Sequence, residues 1–226
     1  MRVGIMQPTF CPWLGYFELI SKVDLFIYLD DVAYTDRSWQ TRNWFCNDGK
    51  PLLLTIPVIN TKQKSLLCEK QLHNPEFHCN KFQKRIRQMY PKCSELNAFH
   101  NAISQYFSDI MPDLASKNIS IIEQINYELG IQVEVLRSSE IAVIGSRANY
   151  IRSLIKHVNA DTYVAANGSR EYMSIFGLDA FECNIEFFNY PRSIKFYSEE
   201  KASVYYSAMH YILSKQKSEI KNILEV

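Results

Sequence analysis

The chain has 226 residues, is 47% hydrophobic and 22% charged, and carries a formal net charge of +1. That profile belongs to a soluble globular chain, long enough for one large domain or two small ones. A near-neutral balance argues against nucleic acid as a partner, which needs a basic face. No apolar run reaches the roughly 20 residues of a membrane span, and Gln7-Pro8 halts any signal-like segment at once. The expected location is therefore cytoplasmic, where the scattered Cys11, Cys46, Cys68, Cys79, Cys93 and Cys183 stay free thiols.

Residues 3–6 read as a short buried strand. Pro8 and Pro12 then forbid helix between them and stiffen a loop. Residues 15–22 have helical spacing, with Tyr16, Phe17, Leu19 and Ile20 able to share a face. The apolar run 25–29 fits a buried strand whose carboxyl end meets Asp30-Asp31. Strand, loop, helix and strand within about 30 residues make a βαβ unit.

Asp48-Gly49 is a turn signal, and 52–58 is a further strand. Residues 76–107 are polar and periodic and predict two helices broken at Pro91. Their basic stretch (Lys81, Lys84, Arg85, Arg87 and Lys92) is flanked by Glu76 and Glu95. It reads first as a solvated helix face and second as a polyanion site. Residues 114–129 form an amphipathic helix ended by Gly130. A strand at 131–136, a helix at 147–159 and a strand at 162–164 follow. Then come a turn at Asn167-Gly168-Ser169, a helix at 171–176, a strand at 185–190 and a helical region at 204–224. The alternation predicts an α/β fold: a mainly parallel sheet flanked by helices, with a helical insertion at 75–112 or a helical C-terminal region. One domain over 1–226 is the expected organisation.

Ligands of such sheets bind beyond the carboxyl ends of the strands. The Gln7 loop, Asp30-Asp31 and the loop after Tyr163 all lie there. The three tryptophans fall in two dense strings at 7–17 and 36–44, mixed with prolines, Gly15, Tyr16, arginines and Asn43. A pocket needs that mixture of rigid walls, aromatic surfaces and a few fixed polar groups. Gln7 offers a fixed amide to a ligand, or closes the backbone of its own loop. Trp13 is a stacking platform or a core residue. Asp30 and Asp31, adjacent in a strand, point to opposite faces, so one can hold or deprotonate an amine while the other caps a turn. Arg37 and Arg42, with Asn43 beside Trp39 and Trp44, suit an anionic ligand carrying a flat ring, such as a nucleotide. Gly168 and Ser169 present backbone N–H groups at a turn, an anion cradle or an ordinary serine-capped turn. His73 and His78-Cys79 lack a second cluster, so no metal site is expected.

The strings Gln7-Pro8, Pro12-Trp13-Leu14-Gly15-Tyr16-Phe17, Asp24, Phe26, Asp30-Asp31-Val32, Tyr34, Trp39 and Arg42-Asn43 resemble the WbqC-like family. The likeness continues in Pro57-Val58 and returns in Thr162-Tyr163-Val164, Gly168 and Tyr172. The C-terminal part departs from the family's usual tail. The resemblance implies a setting in bacterial O-antigen, lipopolysaccharide and other surface-polysaccharide biosynthesis, with a nucleotide-linked amino-deoxy sugar as substrate. The expected activity is an N-acyl or aminoacyl transferase forming an amide on the sugar amine. Asp30 or Asp31 would act on the amine, and Arg37 or Arg42 on phosphate or a donor carboxylate. The donor is open: ATP with a carboxylate, or an acyl or aminoacyl carrier. An adenylate-forming ligase and a non-catalytic nucleotide-sugar-binding accessory protein are the alternatives. The C-terminal tyrosines fit either a homo-oligomer interface or core packing.

Overall fold

A computed structural model describes residues 1–60, 65–91, 93, 96–108, 110–170, 173, 181–190, 205–214 and 217–224. Its centre is a five-stranded sheet of β1 (Arg2–Met6), β2 (Leu25–Tyr28), β5 (Glu134–Arg137), β6 (Thr162–Ala166) and β7 (Asn184–Phe188). Every pairing is parallel and the order is β5-β2-β1-β6-β7. The chain starts at the centre, runs to one edge, then returns and runs to the other. That reversal beside β1 is the switch point of a doubly wound α/β fold, so the expected fold class is the observed one.

Period-two alternation splits the strands between two cores. Val3, Ile5, Leu25, Ile27, Tyr163 and Ala165 pack under α5 (Arg147–His157), together with Leu154 and Ile155. Phe26, Tyr28 and Val164 face the opposite layer, with α1 (Leu14–Ser21) and α4 (Leu114–Leu129). Gly4 lies on that second face. A Cβ there would stand 2.8 Å from Leu19 Cδ2, so glycine lets α1 settle against the sheet. The helices α2 (Pro75–Met89) and α3 (Leu96–Phe107) contribute Phe82, Ile86, Phe99 and Ile103 to the same core as α1. The 204–224 region divides into α6 (Ala208–Leu213) and α7 (Lys217–Leu224). The helix expected at 171–176 lies almost wholly outside the described residues, as does Tyr172.

One strand was not foreseen. Arg42–Asn47 (β3) pairs antiparallel with Lys50–Thr55 (β4), forming a separate two-stranded sheet around Asp48-Gly49. Both turn residues have positive φ, 50° and 71°, the requirement of a two-residue type I′ hairpin. The β4 strand therefore extends a hairpin on top of the fold rather than the parallel sheet. All six cysteines are free. Among the described residues no helix is long and apolar enough to cross a membrane.

Candidate functional site

The loop after β1 carries the site, and buried amides hold it. Asn43, 4% exposed, donates from Nδ2 to the carbonyls of Phe10 (3.2 Å) and Cys11 (2.8 Å). Asn118 on α4, fully buried, donates to the carbonyls of Pro8 (3.0 Å) and Gln40 (2.9 Å) and accepts from the Tyr106 hydroxyl (3.0 Å). The Tyr16 hydroxyl donates to the Gln7 carbonyl at 3.2 Å, and the Ala208 N–H to that of Pro12 at 2.8 Å. Buried carbonyls without partners cost about 1–3 kcal/mol each. The prolines limit the loop's conformations and these donors select one. Gln7 itself is exposed, and its Oε1 accepts from Gln40 Nε2 at 2.9 Å.

Three adjoining cavities run across the carboxyl ends of the strands. The first, about 420 Å³, is walled by Trp13, Trp39, Trp44, Tyr16, Tyr205, Asn43, Met6 and Thr9. All three tryptophans meet in it. The Trp13 ring lies over Gly15, where a Cβ would come within 2.2 Å of it, and packs on Tyr190 and Tyr205 at centroid distances of 4.4 and 4.8 Å. Trp39 remains 52% exposed at the rim.

The second cavity, about 340 Å³, is the crevice between β1 and β6 at the switch point. It shares Met6 and Thr9 with the first, and Gln7, Tyr163, Ala166 and Ser169 line it. The Ser169 hydroxyl donates to the Ala166 carbonyl at 2.6 Å, closing its own turn. Nothing lies within 4 Å of a Cβ built on Gly168, so that backbone borders open space.

The third cavity, about 800 Å³, shares Gln7, Leu29 and Ile151 with the crevice. Asp31, Thr35, Ser146, Arg147 and Tyr150 stand on its wall. The two aspartates separate here. Asp30 is fully buried and held by Arg137 Nε and the Ser139 hydroxyl (2.7 Å each) and the Ser139 N–H (2.9 Å). Burial alone would raise its carboxyl. The Ser139 bonds and the Arg137 guanidinium more than offset that and hold it below the ordinary carboxylate value. Asp30 thus fastens β2 to the start of the Ser138–Glu140 turn. Asp31 faces the cavity and accepts from the Ser138 and Tyr150 hydroxyls. Burial, then the Asp31 carboxylate, push the Tyr150 hydroxyl well up, so it stays a proton donor at neutral pH.

The structure therefore brings together Trp13, Tyr16, Trp39 and Asn43 in one pocket, and Gln7, Asp31 and Ser169 in the two cavities beside it. The arginines of the same sequence string do not join them. Arg37 is exposed in a left-handed turn (φ 53°), and Arg42 lies half-buried on β3 opposite Thr55; neither walls a cavity of this cleft. The cation that does is Arg147, at the first turn of α5. Arg147, Tyr150 and Ser138 were not foreseen from the sequence. The signal was present: Ser138 follows the carboxyl end of β5, where the strand-end rule applies as it does to Asp31. Among the described residues no group of three or more His, Cys, Asp or Glu can hold a metal ion. Chemically, the arrangement offers an aromatic enclosure for a flat ring, a cation for an anionic group and a carboxylate for an amine.

The chain belongs to the WbqC-like protein family, whose model matches residues 7–212. It is also similar to an uncharacterized protein of Mycobacterium tuberculosis, Rv1507c, at 23% identity over 191 residues, covering 84% of this chain and 82% of the relative. No solved structure matches.

Proposed function

We propose that this WbqC-like protein is an amide-forming transferase that places an acyl or aminoacyl group on the amine of a nucleotide-linked amino-deoxy sugar, in bacterial surface-polysaccharide biosynthesis. One observation carries the reading: three tryptophans line one pocket, and a crevice that shares lining residues with it also shares them with the cavity of Asp31. A nucleotide sugar has the matching order of parts. Its base stacks on Trp13 and Trp44, its diphosphate crosses the crevice past Ser169 toward Arg147, and its sugar amine reaches Asp31. The phosphate role foreseen for Arg37 and Arg42 passes to Arg147.

Asp31 receives the proton that the amine loses as its nitrogen bonds to the acyl carbon and the donor's leaving group departs. The Ser138 and Tyr150 hydroxyls orient that carboxylate. Asp30 anchors the strand end and takes no part in the chemistry. A second reading, an ATP-dependent ligase that first adenylates the donor carboxylate, draws support from the doubly wound strand order. It is fold-level analogy.

The test is mass spectrometry of nucleotide-linked amino sugars incubated with the protein and, in separate reactions, acyl-CoA or an amino acid with ATP. The expected product gains the mass of one acyl or aminoacyl group, and Asp31→Asn slows its formation by about 10²–10⁴-fold. A nucleotide sugar that binds but returns unmodified with every donor favours the non-catalytic binding protein and contradicts the transferase.

A further inference from the structure

On the β4 side of the hairpin, across the ladder from Asn43 and Trp44, one strand edge has no strand beside it among the described residues. The hairpin's two-residue turn makes Asn47 and Lys50 the hydrogen-bonded closing pair. Alternation then turns the main-chain groups of Trp44 outward on β3, and those of Pro51, Leu53 and Thr55 outward on β4. The contacts agree: the Trp44 carbonyl accepts from the Ser207 N–H at 2.8 Å. Beyond β4 the same outward edge is occupied by the chain itself. The Pro57 carbonyl accepts from the His73 N–H at 3.0 Å, and the Ile59 N–H donates to the Gln71 carbonyl at 2.9 Å. That added strand ends at Asn74, whose left-handed backbone (φ 44°) turns the chain into α2. Among the described residues nothing continues it along Leu53 and Thr55.

A groove of about 430 Å³ runs along this bare stretch. Residues 52–57 form one wall, and His78, Lys81, Phe82 and Arg85 of α2 form the other. Successive strand residues alternate faces, so a groove touched by six in a row follows the edge rather than a face. Among the described residues no strand pairs with its main-chain donors and acceptors, which lie beside two cations and three leucines. Two members of the basic stretch on α2, Lys81 and Arg85, thus stand along this groove. Burial, then His73 and Lys81, push the His78 ring below its ordinary value.

We propose that β4 receives an extended acidic peptide segment of a partner protein, which adds as a strand along Leu53 and Thr55 with its carboxylates at Lys81 and Arg85. The edge supplies main-chain pairing and the helix supplies charge selection. A second copy of the chain fits poorly: β4 carries no acid, and self-pairing would bring Lys81 and Arg85 against their own copies. A nucleic acid would meet the cations but leave the strand edge unpaired.

The experiment is fluorescence anisotropy on the full chain with a fluorescein-labelled hexapeptide of alternating glutamate and valine. Three comparators are a lysine–valine peptide, the glutamate–valine peptide N-methylated at alternate residues, and a twelve-nucleotide oligothymidine. Saturable binding of the first probe is expected, at least tenfold tighter than any comparator. The double variant Lys81→Glu, Arg85→Glu should weaken it at least tenfold with an unchanged far-UV spectrum. Thr55→Pro gives an independent check. It removes only an outward N–H at an exposed edge position, so the ladder to β3 survives, and binding should fall about as far. Absent binding, equal binding of the N-methylated peptide, or preference for oligothymidine overturns the proposal. So does dimerisation that Thr55→Pro abolishes, which would make the occupant a second copy.

Discussion

The two walls of the cleft are built on opposite plans. The near wall, residues 7–17 and 36–44, is aromatic surface on a loop pinned by the buried side-chain amides of Asn43 and Asn118 and braced by Gln40. The far wall, Asp30-Asp31 with residues 137–150, holds the charged and ionisable groups: Asp30 clamped by Arg137 and Ser139, and beside it Asp31, Tyr150 and Arg147. Rigid, neutral fixation suits recognition of a flat ring, whereas hydroxyl donors around an accessible carboxylate suit handling of an amine proton. The aromatic side chains stand on the loop after β1 and on the β3–β4 hairpin, whereas Asp30 and Asp31 follow β2 of the parallel sheet.

The largest expected effect breaks the near wall alone. Asn118→Ala strips donors from the Pro8 and Gln40 carbonyls and an acceptor from Tyr106. Each lost partner in a buried site costs about 1–3 kcal/mol, so a loss of roughly 3 kcal/mol or more is expected in urea unfolding. A loss below about 1 kcal/mol would show that the loop does not depend on this amide.

Next comes the division between the aspartates. Asp30→Asn should destabilise the fold by about 2–4 kcal/mol, since it leaves Arg137 without its buried partner. Asp31→Asn should change stability by less than about 1 kcal/mol while slowing amide formation by about 10²–10⁴-fold. Acid sharpens the contrast. The folded carboxyl of Asp30 lies below its unfolded value of about 3.9. Its contribution is full above that value and disappears as pH falls through the lower folded value. Asp30→Asn should therefore flatten the acid arm of the stability profile, and an unflattened arm would assign acid unfolding elsewhere.

Smaller effects separate the cations. Trp13→Ala should weaken nucleoside diphosphate binding by about 1–3 kcal/mol, the usual worth of a base stacked on an aromatic ring. Arg147→Ala should cost about 1 kcal/mol or more of affinity by calorimetry. Arg37→Ala, on an exposed turn, should change affinity and stability by less than about 0.5 kcal/mol. The reverse order of the two arginines would return the phosphate to the near wall.

The walls also differed in legibility. Strand β1, helix α1 and strand β2 were readable because their apolar runs end sharply, at Gln7-Pro8 and at Asp30-Asp31. The C-terminal end of α4 followed from Gly130, whose φ of 79° caps the helix. Strand β3 was missed because Arg42, Asn43 and Trp44 look like a ligand-binding string, while Asn43 spends its amide on the loop backbone. Gln40 and Asn118 carried little local signal, for the bonds that pin the loop join Gln40 to Gln7 across 33 residues and Asn118 to Pro8 across 110. Tyr150 was hidden for the same reason, 119 residues from Asp31. Residue type announced the aromatic wall, but only the crossover connections could bring the far wall to it.

The most direct test of the account is intrinsic tryptophan fluorescence during titration with UDP, dTDP, GDP and ATP, because Trp13, Trp39 and Trp44, the chain's three tryptophans, line the proposed base pocket. A saturable change with one nucleoside diphosphate, lost in Trp13→Ala, is the predicted result; a change with ATP alone would shift the reading to the adenylate-forming ligase. A folded protein whose emission answers to none of the four would contradict the nucleotide-sugar site.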